Sequence, residues 1–159
     1  MLNGTKITIR RWAGACLAGA AAGLATLSAS ALPCDRIDRS LTDAWKAQNL
    51  SAITRHVRRD LGVAGTGTNA GPIEIQALFR SGIWAIVRVD PRIADETWLF
   101  YRKAPHEGRD FVAAFTGEVK AGEGAAVRKW LRKNVLGLPR ELGSCFVWHV
   151  TVERQRAKP

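Results

Sequence analysis

The chain has 159 residues, of which 24 are Lys or Arg and 14 are Asp or Glu, so its formal net charge is +10 at pH 7. Hydrophobic residues make up 47% of it and charged residues 24%, a balance that allows a buried core. The length fits one domain, and no internal repeat or low-complexity tract indicates a second.

The first 31 residues have the layout of a secretory signal peptide. Lys6, Arg10 and Arg11 form a positive region, an apolar run of mostly small residues follows over 12–27, and Ala29–Ala31 supplies an A-x-A cleavage site. The run is too short and too rich in Ala and Gly for a membrane span, which needs about 20 strongly apolar residues. We therefore predict a cleaved signal peptide over residues 1–31 and one periplasmic or secreted domain over 32–159.

The arginine pair of this segment also resembles a twin-arginine export signal. Ala13 and Gly14 stand where that signal usually has larger apolar residues, so the Sec route is favoured. A lipid anchor on Cys34 is not expected, because Pro33 precedes it where a lipobox needs a small residue. The prediction is therefore a released protein rather than an anchored one.

Signal cleavage removes Cys16 and leaves two cysteines, Cys34 and Cys145. An even number of cysteines in an oxidising compartment predicts a disulfide bond between them. They lie near opposite ends of the mature chain rather than in a Cys-x-x-Cys motif, so the bond is predicted to be structural and not redox-active.

The first element of the mature chain is predicted to be helical over 35–61, because apolar residues recur there at helical spacing. Asp38 or Ser40 is expected to cap it, and a break is expected near Asn49. The glycine-rich stretch 62–72 is interpreted as a flexible connector. It is not expected to bind phosphate, because no Lys follows the glycines and the loop leads from helix to strand.

Alternating apolar and polar residues then predict four strands. They lie over 73–80, 83–89, 97–102 and 111–116. The first two are joined by the short Ser81-Gly82 turn, which predicts a hairpin.

The rest of the chain is predicted to form a helix over 123–135, ended by Gly137 and Pro139, and a fifth strand over 144–152. A polar tail follows over 152–159. The element order is therefore α-β-β-β-β-α-β. This order predicts a single α+β domain, with one antiparallel sheet of about five strands, an N-terminal helical segment and one later helix.

Both faces of this sheet are expected to be largely apolar, which an antiparallel sheet with one solvated face would not show. Either helices cover both faces, or one face is an aromatic binding surface. The candidate binding residues are expected on one face of the sheet, because they occupy alternate positions of the predicted strands and every second residue of a strand points to the same side. Arginines lie at the rim of this set: Trp84, Trp98, Phe100, Trp148, Arg88 and Arg102.

The sequence contains no catalytic signature, since it lacks a G-x-S-x-G elbow and the paired histidines of a zincin. His149, Tyr101 and His106 are the remaining candidates for acid–base chemistry, with His106 on an exposed loop and His149 on the strand parity of Tyr101. His56 is expected at a helix surface. No metal site and no cofactor are expected.

Without the three basic residues of the signal peptide, 21 Lys and Arg stand against 14 Asp and Glu, and the domain keeps a charge of +7. The densest basic groups lie on predicted helices, at 55–59 and 128–133, where a solvated helix face alone explains them. Export, a small disulfide-linked fold and the missing catalytic signature predict a non-enzymatic binding module of the bacterial envelope, such as an inhibitor, immunity or accessory protein. The alternatives are a small periplasmic hydrolase and a polyanion-binding envelope protein.

The expected partner is an envelope protein or an anionic component of the envelope. Nucleic-acid binding is not expected, because the chain has no zinc-ligand array, recognition-helix signature or RRM-type motif. No transmembrane segment is expected in the mature chain, and the sequence leaves the oligomeric state open.

Overall fold

The computed structural model describes residues 32–60, 73–91, 95, 97–107 and 110–156. The predicted signal peptide and the glycine-rich connector lie outside these residues. The described elements are α1 (Asp43–Asp60), β1 (Glu74–Ser81), β2 (Trp84–Asp90), β3 (Thr97–Tyr101), β4 (Phe111–Thr116), α2 (Gly124–Asn134) and α3 (Arg140–Trp148). No helix among the described residues is long and apolar enough to cross a membrane.

The four strands form one antiparallel sheet in the order β1-β2-β3-β4. Sequential strands pair because each connection is short enough to return the chain alongside itself. The tightest of these turns contains Gly82, whose φ of +57° lies in the left-handed region that glycine adopts readily. The predicted α+β domain with an antiparallel sheet is confirmed, with four strands instead of five.

The predicted fifth strand over 144–152 is wrong. This part of the chain is helical: α3 continues into a π-helical segment, His149–Glu153, and one further turn, Arg154–Arg156. The polar tail predicted from residue 152 therefore begins inside this helical region. Alternating aromatic and β-branched residues suggested a strand, but the most deeply buried positions follow helical spacing: Leu142, Cys145, Phe146 and Val150.

Helix α1 covers one face of the sheet. Its Ile53 and Val57 are fully buried and pack in one cluster with Leu78, Val87 and Leu99. These strand residues alternate with those of the opposite face, because successive side chains of a strand point to opposite sides.

Helices α2 and α3 cover the other face. Phe146 of α3 packs edge-on against Trp98 and Phe100, at ring-centroid distances of 5.3 and 5.2 Å. Val127 and Leu131 of α2 belong to the same buried cluster. Of the two alternatives left open by the sequence, helices on both faces is therefore the correct one, and the domain has three layers with the sheet in the middle.

A β-bulge in β1 changes which residues of this strand share a face. Ile75 pairs with Val89 and Ala77 with Arg88, so Gln76 is the extra residue. The uniform alternation predicted for this strand therefore holds only on either side of the bulge.

Helix α1 runs without the break predicted at Asn49. It begins after Thr42, whose hydroxyl accepts a hydrogen bond from the Trp45 amide at 3.2 Å, so neither predicted capping residue caps it. Asn49 is fully buried, and its side-chain amide donates to the Trp45 carbonyl at 2.8 Å. A residue that usually favours turns is held in the helix because its polar groups have partners.

Candidate functional site

The aromatic surface proposed from strand parity is covered. Trp84, Trp98 and Phe100 do share one side of the sheet, but their exposed fractions are only 5%, 1% and 0%. Trp148 lies on α3 and not on a strand, and it is half-buried. These rings form the core beneath α2 and α3, so they offer no open binding face.

The two arginines expected at the rim lie beside this core. The guanidinium carbon of Arg88 is 6.0 Å from the Trp98 ring centroid, and that of Arg102 is 5.4 Å from the Trp84 ring centroid. Arg102 also donates to the Leu136 carbonyl at 3.3 Å. Cation–π contacts of this kind stabilise the rim of a core, so both arginines have structural roles.

The predicted disulfide bond between Cys34 and Cys145 is confirmed, with a Cα–Cα distance of 4.7 Å. It joins the segment before α1 to α3. Next to it, Asp38 and Arg80 form reciprocal backbone hydrogen bonds of 3.2 and 2.8 Å, which seat the same segment along β1. The N-terminal segment is therefore fixed both to the sheet and to the helical layer.

His149 lies in the aromatic core and not on a strand near Tyr101. Its ring packs edge-on against Phe79 and Trp98, at centroid distances of 5.0 and 5.2 Å. Its Nδ1–H donates to the Glu153 carboxylate, which also accepts two hydrogen bonds from Arg39, at 3.0 and 2.9 Å. Burial lowers the pKa of His149 below its ordinary 6.5, although Glu153 acts in the opposite direction.

The Nε2 atom of His149 is buried and has no hydrogen-bond partner among the described residues. With Nδ1 bound to a carboxylate, which only accepts, Nε2 carries the free lone pair of the neutral ring. A general base must come within hydrogen-bond reach of its substrate. The aromatic packing around this lone pair separates it from solvent, so the geometry does not favour catalysis by His149.

His106 connects the β3–β4 loop to α1. Its backbone N–H and its Nδ1–H both donate to Asn49 Oδ1, at 3.1 and 3.0 Å. Since that oxygen can only accept, Nδ1 carries the proton and Nε2 accepts from the Gln48 side-chain amide at 3.1 Å. Both ring nitrogens therefore serve to hold the loop in place.

The expectation that His56 lies on the surface is wrong, because it is 4% exposed. Its Nδ1 shares a 3.1 Å hydrogen bond with the hydroxyl of Tyr101, which is itself 1% exposed. The Phe111 ring packs against both side chains, at centroid distances of 5.6 and 5.7 Å. This is a satisfied polar pair inside the α1 face, and it has no opening to a substrate.

Among the described residues, no group of three or more His, Cys, Asp or Glu side chains is placed to hold a metal ion. The histidines lie in three separate places: His56 between α1 and the sheet, His106 on the β3–β4 loop, and His149 after α3. Tyr101 pairs with His56, so the structure does not bring the three catalytic candidates, His149, Tyr101 and His106, together.

A concave site does exist elsewhere, between α2 and α3. It is a cleft of about 560 Å³ formed by the end of α2, the connection after it and the start of α3. Leu131, Val135 and Leu138 supply apolar surface to it. Three arginines also line it: Arg128, Arg132 and Arg140. We call this feature the α2–α3 groove.

Within the described part of the chain, none of these three guanidinium groups has a hydrogen-bond or ion-pair partner. Arg128 and Arg132 lie one helical turn apart on α2, and Arg140 begins α3 on the opposite side. The sequence indicated the basic cluster on α2 but not the groove, because 144–152 was predicted as a strand. Reading the repeat of Leu142, Cys145 and Phe146 as helical would have indicated a second helix after α2, but not its orientation.

No family model, curated protein or solved structure matches this chain.

Proposed function

We propose that this protein is a non-enzymatic binding module of the bacterial envelope, and that it holds a small anionic ligand with an apolar body in the α2–α3 groove. The observation that supports this proposal is a group of three arginines that line the groove beside apolar residues and have no hydrogen-bond or ion-pair partner among the described residues: Arg128, Arg132 and Arg140. Guanidinium groups bind carboxylates and phosphates with paired, directional hydrogen bonds. The apolar residues would accommodate the uncharged part of the same molecule.

The volume of the groove supports a small ligand. Its 560 Å³ lies within the range of about 300–1,000 Å³ that is typical of small-molecule sites. The ligand class is therefore a carboxylate- or phosphate-bearing amphiphile, which agrees with an anionic component of the envelope as the partner.

A second basic surface, on α1, is a weaker candidate. Leu50, Arg55, Arg58 and Arg59 line it, but all its described residues come from the outer side of one helix. In the α2–α3 groove, described residues of two helices supply the lining, so a ligand there is enclosed from two sides. The surface on α1 provides the matched control for the test below.

Location in the envelope is supported by two independent features. The N-terminal 31 residues read as a signal peptide, and the Cys34–Cys145 disulfide is a bond that persists in oxidising compartments. The alternative of a small hydrolase is disfavoured by the burial of His149 Nε2 and by the engagement of both His106 ring nitrogens.

Titration with the fluorescent anion 8-anilinonaphthalene-1-sulfonate, with dodecanoate as competitor, tests the proposal. A charge-assisted hydrogen bond contributes about 1.5–3 kcal/mol, so the double variant Arg132→Gln/Arg140→Gln is expected to bind the dye more than about tenfold more weakly. The control variant Arg55→Gln/Arg58→Gln removes the same charge from α1 and is expected to bind as the wild type does.

Equal losses in the two double variants would indicate general attraction of anions to a basic protein, and would favour the polyanion-binding alternative. Failure of the wild type to bind the dye, or failure of dodecanoate to displace it, would contradict the proposed groove. Turnover of an ester or peptidoglycan substrate that disappears in His149→Gln would favour the hydrolase.

A further inference from the structure

The two edges of the sheet differ in how they are protected. The outer edge of β1 is bridged by Asp38, which exchanges backbone hydrogen bonds with Arg80 and pairs with its guanidinium group at 2.5 Å. The strand also contains a bulge at Gln76 and carries Glu74. Bulges and edge charges are the usual devices that prevent a strand from pairing with another chain.

The outer edge of β4 lacks most of these devices. Within the described part of the chain, β4 pairs only with β3, so one side of its backbone offers unpaired N–H and C=O groups. Its sequence, FVAAFT, contains no charged residue and no proline. Its one irregularity is a bulge at Val112, and the ladder is regular from Ala113 to Thr116. An uncharged edge of this kind is a template for strand pairing.

We infer that β4 is a self-association surface, on which a second copy of this chain adds its own β4 in antiparallel orientation. The proposed pairing is centred on Ala114, which then lies opposite Ala114 of the partner subunit. One step away, Ala113 lies opposite Phe115 of the partner subunit, so that a small side chain meets a large one. Both residues face the α2–α3 side and pack against its core, so their side chains meet on a single side of the joined sheet.

Charge favours a second copy at this edge over any other part of the surface. The domain without the predicted signal peptide is basic, with a net charge of +7, and two copies repel each other at most points of contact. The regular part of β4 is uncharged, so the pairing buries no charge and places no like charges opposite each other. Because the remaining repulsion is long-range, added salt strengthens this dimer instead of weakening it.

The interface is small, because α1 on one face and α2 and α3 on the other leave only the strand edge for contact. Interfaces that bury less than about 1,200 Å² are typical of weak, reversible association. We therefore expect a monomer–dimer equilibrium that changes over micromolar to millimolar protein concentrations.

Sedimentation velocity tests this inference. The sample is the exported protein, obtained by expression of the full-length chain. The wild type is expected to shift from monomer to dimer as its concentration rises, and to shift further when salt is added. Thr116→Lys places a charge at the exposed end of the strand and is expected to remain monomeric with an unchanged circular dichroism spectrum.

A cysteine cross-link tests the register. Ala114→Cys is expected to form a disulfide-linked dimer on oxidation, because directly opposed strand residues have Cβ atoms about 4.5–5.5 Å apart. Ala126→Cys is the matched control: the same substitution on the exposed side of α2, away from the edge, is expected to stay monomeric.

A wild type that is monomeric at every concentration overturns the inference. So does a dimer that cross-links through Ala126→Cys and not through Ala114→Cys, because that dimer would use another surface. The groove variant Arg132→Gln/Arg140→Gln is expected to dimerise as the wild type does, so that this inference and the proposed ligand site succeed or fail separately.

Discussion

The two faces of the sheet are held to their helices by different kinds of interaction. Beneath α2 and α3, the contacts are largely aromatic, among Trp98, Phe100 and Phe146, and the disulfide joins this layer to the N-terminal segment. Beneath α1, Ile53 and Val57 provide the apolar contacts. Here buried hydrogen bonds of Asn49 and of the His56–Tyr101 pair add to them.

This difference shows how one small sheet can position two helical layers. Aliphatic burial is non-directional, so it would allow α1 to slide along the sheet. Hydrogen bonds depend on angle and distance, and they define where α1 sits. On the opposite face, the close packing of aromatic rings and the Cys34–Cys145 disulfide define the position of the helical layer. The comparison predicts that the two faces respond differently to the loss of a single group.

The largest effect is expected from removal of the disulfide on the aromatic face. The variant Cys34→Ala/Cys145→Ala should lose about 4–5 kcal/mol of unfolding free energy, because the bond closes a loop of more than 100 residues in the unfolded chain. Urea denaturation followed by tryptophan fluorescence measures this loss. Reduction of the wild type should produce the same loss. A change below about 1 kcal/mol in both would show that the aromatic contacts alone hold this layer.

A smaller effect is expected from Asn49→Ala on the α1 face. This substitution removes three hydrogen bonds of the fully buried Asn49 side chain, two of them to His106, and should cost about 1–3 kcal/mol. The rate of amide hydrogen exchange should increase at Pro105–Glu107 and should change little in α3. An exposed position on the same helix offers a control, since Ser51→Ala is expected to change stability by no more than about 0.5 kcal/mol. Equal losses in the two variants would contradict a positioning role for Asn49.

The smallest effect is expected from the protonation of His149, the polar group of the aromatic face. Its pKa in the folded protein lies below the ordinary 6.5, because burial disfavours the charged ring. The unfolded chain therefore takes up this proton first, and the free energy of unfolding should decrease as the pH falls through 6.5. Thermal unfolding across this range measures the slope. The variant His149→Gln is expected to remove this part of the pH dependence, and an unchanged slope would contradict the assignment.

At lower pH a second group contributes in the same direction. The pKa of Glu153 is lowered from its ordinary 4.5, since the hydrogen bonds from Arg39 and His149 outweigh the opposing effect of burial. A carboxyl whose folded pKa is depressed stabilises the protein above its unfolded pKa, and this contribution disappears as the pH falls further. The loss of stability from His149 is therefore expected to begin as the pH falls through 6.5, and that from Glu153 only as it falls through 4.5.

Most strands and two of the helices could be predicted because their patterns are local. Alternation placed β4 at Phe111–Thr116, and helical spacing placed α2 close to its observed bounds. The last element was wrong because Ser144 to Val152 supports both patterns: its residues are aromatic and β-branched, as in a strand, yet its most deeply buried residues, Cys145, Phe146 and Val150, recur at helical spacing. Local propensity was outweighed by packing against the sheet.

The functional residues were less predictable than the fold. Trp84, Trp98 and Phe100 were correctly predicted to share a face, because alternate residues of a strand point to the same side. This alternation does not show what covers that face. His56 was expected at the surface because charged residues flank it, whereas the partner that makes its burial favourable, Tyr101, lies 45 positions away. The α2–α3 groove depends on the orientation of two helices, which no local pattern describes.

The sequence by itself determined the signal-like N-terminus, the pairing of Cys34 with Cys145, the four strands and the apolar character of both sheet faces. These follow from composition, residue count and periodicity, which are properties of neighbouring positions. Only the tertiary structure decided that helices cover both faces, that the last segment is helical, and that Arg140 faces Arg128 and Arg132 across a groove. The physical reason is that burial and partner choice depend on residues far apart in the chain, and their energies are set by packing rather than by local conformation.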